Sequence, residues 1–494
     1  MSFINKKIII LFFSCLFHIS NQIQETSKEL SLFFNKDPIK QTNDNIEKMS
    51  NLLYNKIFIN TKIATPNQSI KLYLRFNEYI TYITQNYYKK DDSSSFSITS
   101  ENKDSDVSEP KEFKTDDLKS GYESKDILSL DEENVITNFY FILVDKLSKK
   151  EEFYQPVMGL NMPGADSRPS LLGTNILEQL KNNNIIDKRL FSVFYFNKIG
   201  KEKSENNGVD GQIIFGKLPH ELKDEKKYEQ INKYNFNENE LEWANAEVEE
   251  FHLKWKIKFD SISFSNEQTQ DFIGELVIEL NPFVGTVQFK KIINKYFFDE
   301  FISKNICKEE QFFNSRENLG YNFYSCDTSI ELYFNKYKDN VLQFKSKDLN
   351  EIFSFKLEEL FLQYNNRFFF GVIFDEYQMY GWKLGRIFFE KYPLVFSVDN
   401  KAIGYYKHNP NNVTNKKGSK LILTILILLV IVLLFILFIG IRKYNVLKGL
   451  LPRKLKANEL NDQYTYKSVE ETKKEITTEM VSKVGDNSVS SLGF

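Results

Sequence analysis

Residues 421–440, LILTILILLVIVLLFILFIG, are apolar except for the hydroxyl of Thr424. Such a run matches the hydrocarbon core of a bilayer, about 30 Å thick, and carries no charge that lipid would leave unpaired. It predicts one transmembrane helix over 421–441, with a short cytosolic tail at 442–494. The amino terminus supplies the direction. In MSFINKKIIILFFSCLFHIS, Lys6 and Lys7 precede the apolar stretch Ile8–Phe17, which is too short to span; this is the pattern of a signal peptide over 1–20. Its removal would leave the chain up to residue 420 in the lumen or outside, a single-pass type I arrangement in the secretory or endolysosomal pathway or at the cell surface. Arg442, Lys443, Lys448, Arg453, Lys454 and Lys456 lie on the tail side, against Lys416, Lys417 and Lys420 on the other, so the positive-inside bias is modest.

Composition removes several classes of function. The net charge is −2, from 65 basic and 67 acidic residues, so no global field draws the chain to nucleic acid. His18, His220, His252 and His408 are scattered, and no Cys/His group has metal-ligand spacing, so neither metal nor cofactor is expected. Cys15 leaves with the signal peptide, and Cys307 and Cys326 remain as the one possible pair. An oxidising lumen predicts that they are bridged, a bond that contributes on the order of 3 kcal/mol for a loop this short. Asn67-Gln-Ser and Asn412-Val-Thr are glycosylation sequons on the expected luminal side.

With 45 Phe and 26 Tyr, the chain is rich in strand formers. ATPNQSIKLYLRFNEYITYI, residues 64–83, reads as a turn followed by a strand in which Leu72, Leu74 and Phe76 alternate with Lys71, Tyr73 and Arg75. VITNFYFILV (135–144), FSVFYF (191–196), GQIIFG (211–216) and KWKIKFDSISF (254–264) are of the same kind. Residues 91–135 are rich in Ser, Asp, Glu and Lys and read mostly as a mobile insertion, while 217–250 is a charged connection. One helix stands out in SLLGTNILEQLKNNNII, where Leu172, Ile176, Leu177 and Leu180 share a face before an Asn-rich stop. Many short strands between turn signals imply a mostly all-β architecture of two linked sheets or barrels.

Four stretches, in order, resemble the pepsin-like aspartic protease family (peptidase A1). ATPNQ is similar to the turn that opens that family's N-terminal lobe. VMGLNMPGADSRPSLLGTNILEQLKNNNIIDKRLFSVFYF followed by GVDGQIIFGKL resembles its Gly-Leu-Gly, Ser-Leu-x-x-Gln-Leu, Phe-Ser and Gly-x-x-x-Phe-Gly run. WKIKFDSISF resembles the strands that open the C-terminal lobe, and GWKLGRIFFEKYPLVFSVDNKAIGYY resembles the closing Trp-Ile-Leu-Gly motif and final hairpin. The resemblance covers 51–407, includes a matching Cys307–Cys326 pair, and extends to the membrane-anchored branch of the family. It implies a bilobal fold: a prosegment or linker at 21–50, an N-terminal β lobe at 51–190 carrying the insertion 91–135, a C-terminal β lobe at 191–407, and a stalk at 408–420. It also implies a polypeptide ligand or substrate in the inter-lobe cleft, no cofactor, and two aspartates, one per lobe. Each would sit in an Asp-Thr-Gly or Asp-Ser-Gly turn, and the two would share one proton.

That chemistry is what the sequence lacks. The family's spacing from Gln68 puts the first aspartate at Arg75, with Phe76 and Asn77 after it; a slip of two offers Asn77 or Glu78. GELVIELNPFVG puts Glu279, Leu280 and Asn281 at the second triplet. A guanidinium opposite a carboxylate forms an ion pair that cannot share a proton, so no catalytic residue is assigned and both positions read first as ordinary strand residues on a polar edge. Asp327-Thr-Ser follows Cys326 without a glycine, and Asp399 falls in the turn of the final hairpin, so neither reads as a catalytic turn. The segment 120–128 resembles the one after the substrate-covering flap, and Tyr122 or Phe113 would stand in for the flap aromatic. Three functions follow: a membrane-anchored pseudoprotease that binds polypeptide, an active aspartic endopeptidase with divergent motifs, or a sorting receptor whose Tyr466-Lys-Ser-Val469 recruits a trafficking adaptor.

Overall fold

The computed structural model describes residues 28–38, 42–99, 118–147, 155–162, 175–197, 199, 209–246, 254–314, 319–375 and 381–407. The expected signal peptide, stalk, transmembrane helix and tail, together with Asn412, Tyr466, Phe113 and Leu172, lie outside them. Among the described residues no helix is long and apolar enough to cross a membrane.

Two sheets dominate. The first contains β1 (Leu30–Lys36), β2 (Ile57–Ile63), β3 (Gln68–Arg75), β4 (Tyr82–Thr84), β5 (Ser97–Ile98), β6 (Leu118–Ser129), β7 (Val135–Leu147) and β8 (Val157–Gly159). It continues with β9 (Leu190–Tyr195), β10 (Gly211–Phe215), β11 (Leu241–Asn245), β23 (Leu394–Ser397) and β24 (Ala402–Tyr406), in the order β11-β24-β23-β9-β10-β1-β2-β3-β8-β4-β7-β6-β5. The second begins with β12 (Lys256–Phe264), β13 (Glu267–Leu276), β14 (Phe283–Gly285), β15 (Cys307–Asn314), β16 (Leu319–Asp327) and β17 (Val341–Ser346). It ends with β18 (Glu351–Lys356), β19 (Phe361–Tyr364), β20 (Arg367–Phe370), β21 (Val372–Asp375) and β22 (Trp382–Leu384).

One strand pattern is used twice. In the first sheet β3, the second strand of a hairpin with β2, lies parallel to β8; β8 pairs antiparallel with β4, and β4 runs parallel to β7. In the second sheet β13, hairpin partner of β12, lies parallel to β22; β22 pairs antiparallel with β14, and β14 runs parallel to β21. The chain therefore leaves β3 and β13 at matching places, and the two turns that follow carry the candidate site. A glycine closes each crossing. A Cβ on Gly159 would stand 2.7 Å from the carbonyl oxygens of Glu78 and Ile80, and one on Gly385 would stand 2.3 Å from that of Pro282, so no larger residue fits either place.

Aromatic burial supplies much of the core. Phe259, Phe344, Phe353 and Phe355 from β12, β17 and β18 pack with Trp382 and Phe388, ring on ring. A buried Phe contributes about 1.5–3 kcal/mol, and each such ring pair about 0.5–1.5 more. The alternation read in KIKFDSISF appears in β12 as two halves out of step, Ile257 and Phe259 before Asp260 and Ile262 and Phe264 after it, all four apolar residues buried.

Four expectations change. The prosegment or linker drawn at 21–50 is not a linker over its second half: β1 pairs with β10 and β2, burying Leu30, Leu32 and Phe34, and helix α1 (Asn45–Leu53) follows, capped by Asp44. The lobe boundary at 190–191 cuts into β9; β9, β10 and β11 join the first sheet, and the second sheet starts only at Lys256. The insertion drawn at 91–135 narrows, because β6 forms a long hairpin with β7. Its inward positions were masked by polarity: buried Asp126 accepts from Tyr88 Oη at 2.5 Å, Ser93 Oγ at 2.8 Å, Ser95 Oγ and the amide of Ile127. Finally, the predicted helix shortens to α2 (Ile176–Asn182), because Asn175 takes the N-cap and accepts the amides of Leu177 and Glu178.

Candidate functional site

The first turn leaves the end of β3. Arg75 pairs in register with Gly159, and its carbonyl accepts the amide of Leu160 at 2.8 Å, which fixes the backbone at the position the sequence comparison set against the family's first aspartate. Arg75 is half-buried and Asn77 is exposed. Between them Phe76 turns inward and meets Phe191, Phe389 and Phe396 edge to face, with centroids 5.5, 5.7 and 4.8 Å away. Where the family keeps a small hydroxyl residue, this chain has an aromatic anchor.

The second turn, after β13, is held from behind by the N-terminal segment. Asn55 donates its amide to the Glu279 carbonyl at 2.7 Å, and the Asn281 amide donates to the Leu53 carbonyl at 2.9 Å. Asn281 Nδ2 donates to the carbonyls of Leu52 and Tyr54, at 2.7 and 3.3 Å. After β14 the chain forms α3 (Val287–Ile293), and α4 (Arg386–Lys391) starts at the second turn: the amide of Arg386 donates to the Leu280 carbonyl at 2.8 Å.

The two turns meet through Glu279. Its Oε1 accepts the amide of Phe76 at 2.5 Å and that of Asn77 at 3.0 Å, while Oε2 is buried with no hydrogen-bond partner among the described residues. Burial pushes its carboxyl above the usual glutamate range; the two amides and the nearby Arg75 charge pull the other way without cancelling it. The sequence expectation that these are ordinary edge residues is therefore corrected for Glu279, which joins the two sheets.

A buried polar network lies beneath. Arg386 is 1% exposed. Its Nε donates to Glu390 Oε1 at 2.7 Å, its Nη2 to the Asn197 carbonyl at 2.5 Å, and its guanidinium stacks 4.5 Å above the Tyr195 ring. Asn55 Nδ2 donates to Tyr195 Oη at 2.7 Å and to the Ile278 carbonyl at 2.9 Å, so the network reaches the residue before Glu279. Burial pushes the Glu390 carboxyl up against the pull of Arg386, and burial, aided by Arg386, pushes the Lys36 amine down to about 8.

Chemically, the arrangement supplies one carboxyl whose acceptor oxygen is occupied by main-chain amides, and a guanidinium at the matching position. Water activation by this family's route needs two carboxylates sharing a proton. The partners found for the Glu279 carboxyl are backbone amides, not a second carboxyl.

The remaining sequence candidates fall elsewhere. Cys307 and Cys326 form a disulfide and stand opposite one another in the β15–β16 ladder. Asn67 is exposed in the β2–β3 turn. Asp327 is exposed and pairs with Arg367 at 2.9 Å, and Asp399 in the final hairpin accepts from the amide and Nε of Arg189 at 2.8 and 2.7 Å. Tyr122 lies half-buried on β6. Asn55, Tyr195 and Arg386 escape a sequence reading as site residues, although Arg386 stands directly after a motif glycine. Asn281 was placed in the second triplet, but its bonds to the carbonyls of Leu52 and Tyr54 were not foreseen.

The eukaryotic aspartyl protease family model matches residues 75–407, from the end of β3 to just past the end of β24. No curated protein is similar enough in sequence to match. With two-thirds of its length matched and the strand pattern repeated on both sides of the two turns, the chain belongs to the eukaryotic aspartyl protease family.

Proposed function

We propose that this chain is a non-catalytic, membrane-anchored member of its family, a pseudoprotease that binds polypeptide between its lobes. The observation that carries the reading is the occupied carboxyl: Glu279 Oε1 is committed to the amides of Phe76 and Asn77, and the position that should supply its partner is Arg75. Polypeptide would be held by cleft walls and strand-edge hydrogen bonds rather than by a dyad. Anchoring rests on the apolar run 421–440, with the folded body on the luminal or outer face, and Tyr466 would offer a trafficking adaptor a contact in the tail.

The test is an acid-pH digestion of unfolded protein by the purified full chain, with a pepstatin-like transition-state mimic as a second probe. Neither cleavage nor mimic binding is expected, since such mimics depend on a hydroxyl held between two carboxyls. Labelled unfolded polypeptide should still bind, and binding should survive Arg75→Ala. Acid-dependent cleavage lost in Glu279→Ala would overturn the reading in favour of an endopeptidase with divergent motifs.

A further inference from the structure

The contact between the two turns has a property that polypeptide binding does not require. Glu279 follows β13 of the second sheet, and the amides it accepts follow β3 of the first. Its own backbone is tied down by Asn55, and the backbone of Leu280 by Arg386. The side chain is thus a direct link from the second turn to the first, and its second oxygen is buried without a hydrogen-bond partner among the described residues.

We propose that Glu279 is a proton-gated clasp: protonated, it holds the two turns together, and losing the proton loosens them. A neutral carboxylic acid keeps Oε1 as acceptor for both amides and removes the charge that buried Oε2 leaves uncompensated. The groups that face it are Arg75 at the end of β3, whose charge favours the anion, and the neutral phenol of Tyr195 on β9, held by Asn55. Beyond Tyr195 lie Arg386 and Glu390 of α4, paired with each other, and Lys36 of β1. The cation at Arg75 opposes burial and loses to it.

The direction of the pH effect follows. In the closed junction the carboxyl titrates above the ordinary glutamate value of 4.5, whereas an opened, hydrated Glu279 titrates near that value. Below it both states are protonated and opening is independent of pH. Above it opening releases a proton and becomes about tenfold easier per pH unit, until the closed-state value is passed. The junction is tightest in acid and loosens as pH rises past the ordinary glutamate value.

Hydrogen exchange on the full chain in detergent, followed in the peptide containing Phe76 and Asn77, reads the clasp directly. After division by the intrinsic exchange rate, wild-type exchange should climb by up to about tenfold per unit from about pH 4.5 upward. Glu279→Gln, neutral and still an acceptor, should stay protected with no climb. Arg75→Gln removes a charge that favours the anion and should extend the climb to higher pH with its onset unchanged, a readout that stands even if Glu279→Gln fails to fold. A flat wild-type profile, an unchanged climb in Glu279→Gln, or a climb that ends at lower pH in Arg75→Gln would overturn the clasp. Polypeptide binding enters none of these readouts, so the clasp and the proposed function fail separately.

Discussion

The turn after β3 and the turn after β13 occupy the same place in a repeated strand pattern, yet they are held by different forces. The first is anchored by an inward aromatic: Phe76 sits among Phe191, Phe389 and Phe396. The second is anchored by polar groups: Asn281 bonds the carbonyls of Leu52 and Tyr54, and Asn55 and Arg386 tie its backbone. In a working dyad both turns need small residues so that two carboxylates can approach. Here each turn is fixed by a larger side chain, and one long carboxyl spans to the amides opposite. The difference teaches that matching turns in one repeated strand pattern can be fixed by different forces, aromatic packing in one and side-chain and backbone hydrogen bonds in the other.

The largest expected effect tests the aromatic side of the comparison. Phe76→Ala should cost about 3–5 kcal/mol in denaturant unfolding, because it empties a site walled by three rings. A loss under about 1 kcal/mol would mean that the first turn is fixed by something other than Phe76.

Arg386→Met should come next, at about 3 kcal/mol, since it leaves Glu390 buried without its guanidinium; Lys36 nearby keeps the loss at the low end. Adding Glu390→Gln to that variant should recover part of the loss. If the double variant is no more stable than the single one, the pair is not what supports α4 beneath the second turn.

The third test compares one position in both turns. Asn281→Ala removes a buried donor from two carbonyls and should cost about 1–3 kcal/mol. Asn77→Ala, at the matching exposed position, should stay within about 0.5 kcal/mol, since its amide still donates to Glu279. Equal losses would erase the asymmetry between the turns.

How much of this was legible beforehand depended on which force fixed each element. Strands with apolar inward faces, such as β3 and β12, were readable by alternation. β6 was not, because the polar Ser124 and Asp126 point inward, and Asp126 is satisfied by Tyr88 and Ser93, distant in sequence. β1 keeps a short alternation, with Leu30, Leu32 and Phe34 inward, that was read as part of a linker, while β11, with only Ala244 buried, leaves no local period. At the site, Arg75 ends β3 as the strand reading expected, whereas Glu279 lies in the turn after β13, and spacing carries no information on where a side chain ends. The crossing of Glu279 to Phe76 and Asn77 spans about two hundred residues, and Asn55 and Arg386 meet only through the fold.

The smallest effect belongs to the one aspartate triplet the sequence offers outside the two turns. Asp327 ends β16 beside the disulfide, its amide bonded to the Ile306 carbonyl at 2.9 Å and its side chain 55% exposed. Its carboxylate pairs with Arg367 across the ladder. An exposed pair of this kind contributes less than about 1 kcal/mol, because water already solvates both charges and the side chains lose freedom in meeting. A catalytic carboxyl would need to be desolvated and to face a second acid, whereas this one faces solvent and a guanidinium. Asp327→Asn should therefore shift unfolding by under about 1 kcal/mol and leave acid-pH digestion assays as blank as the wild type. Should the wild type cleave and Asp327→Asn abolish it, the comparison of the two turns would concern the wrong pair of loops, and the acid chemistry would belong to the end of β16.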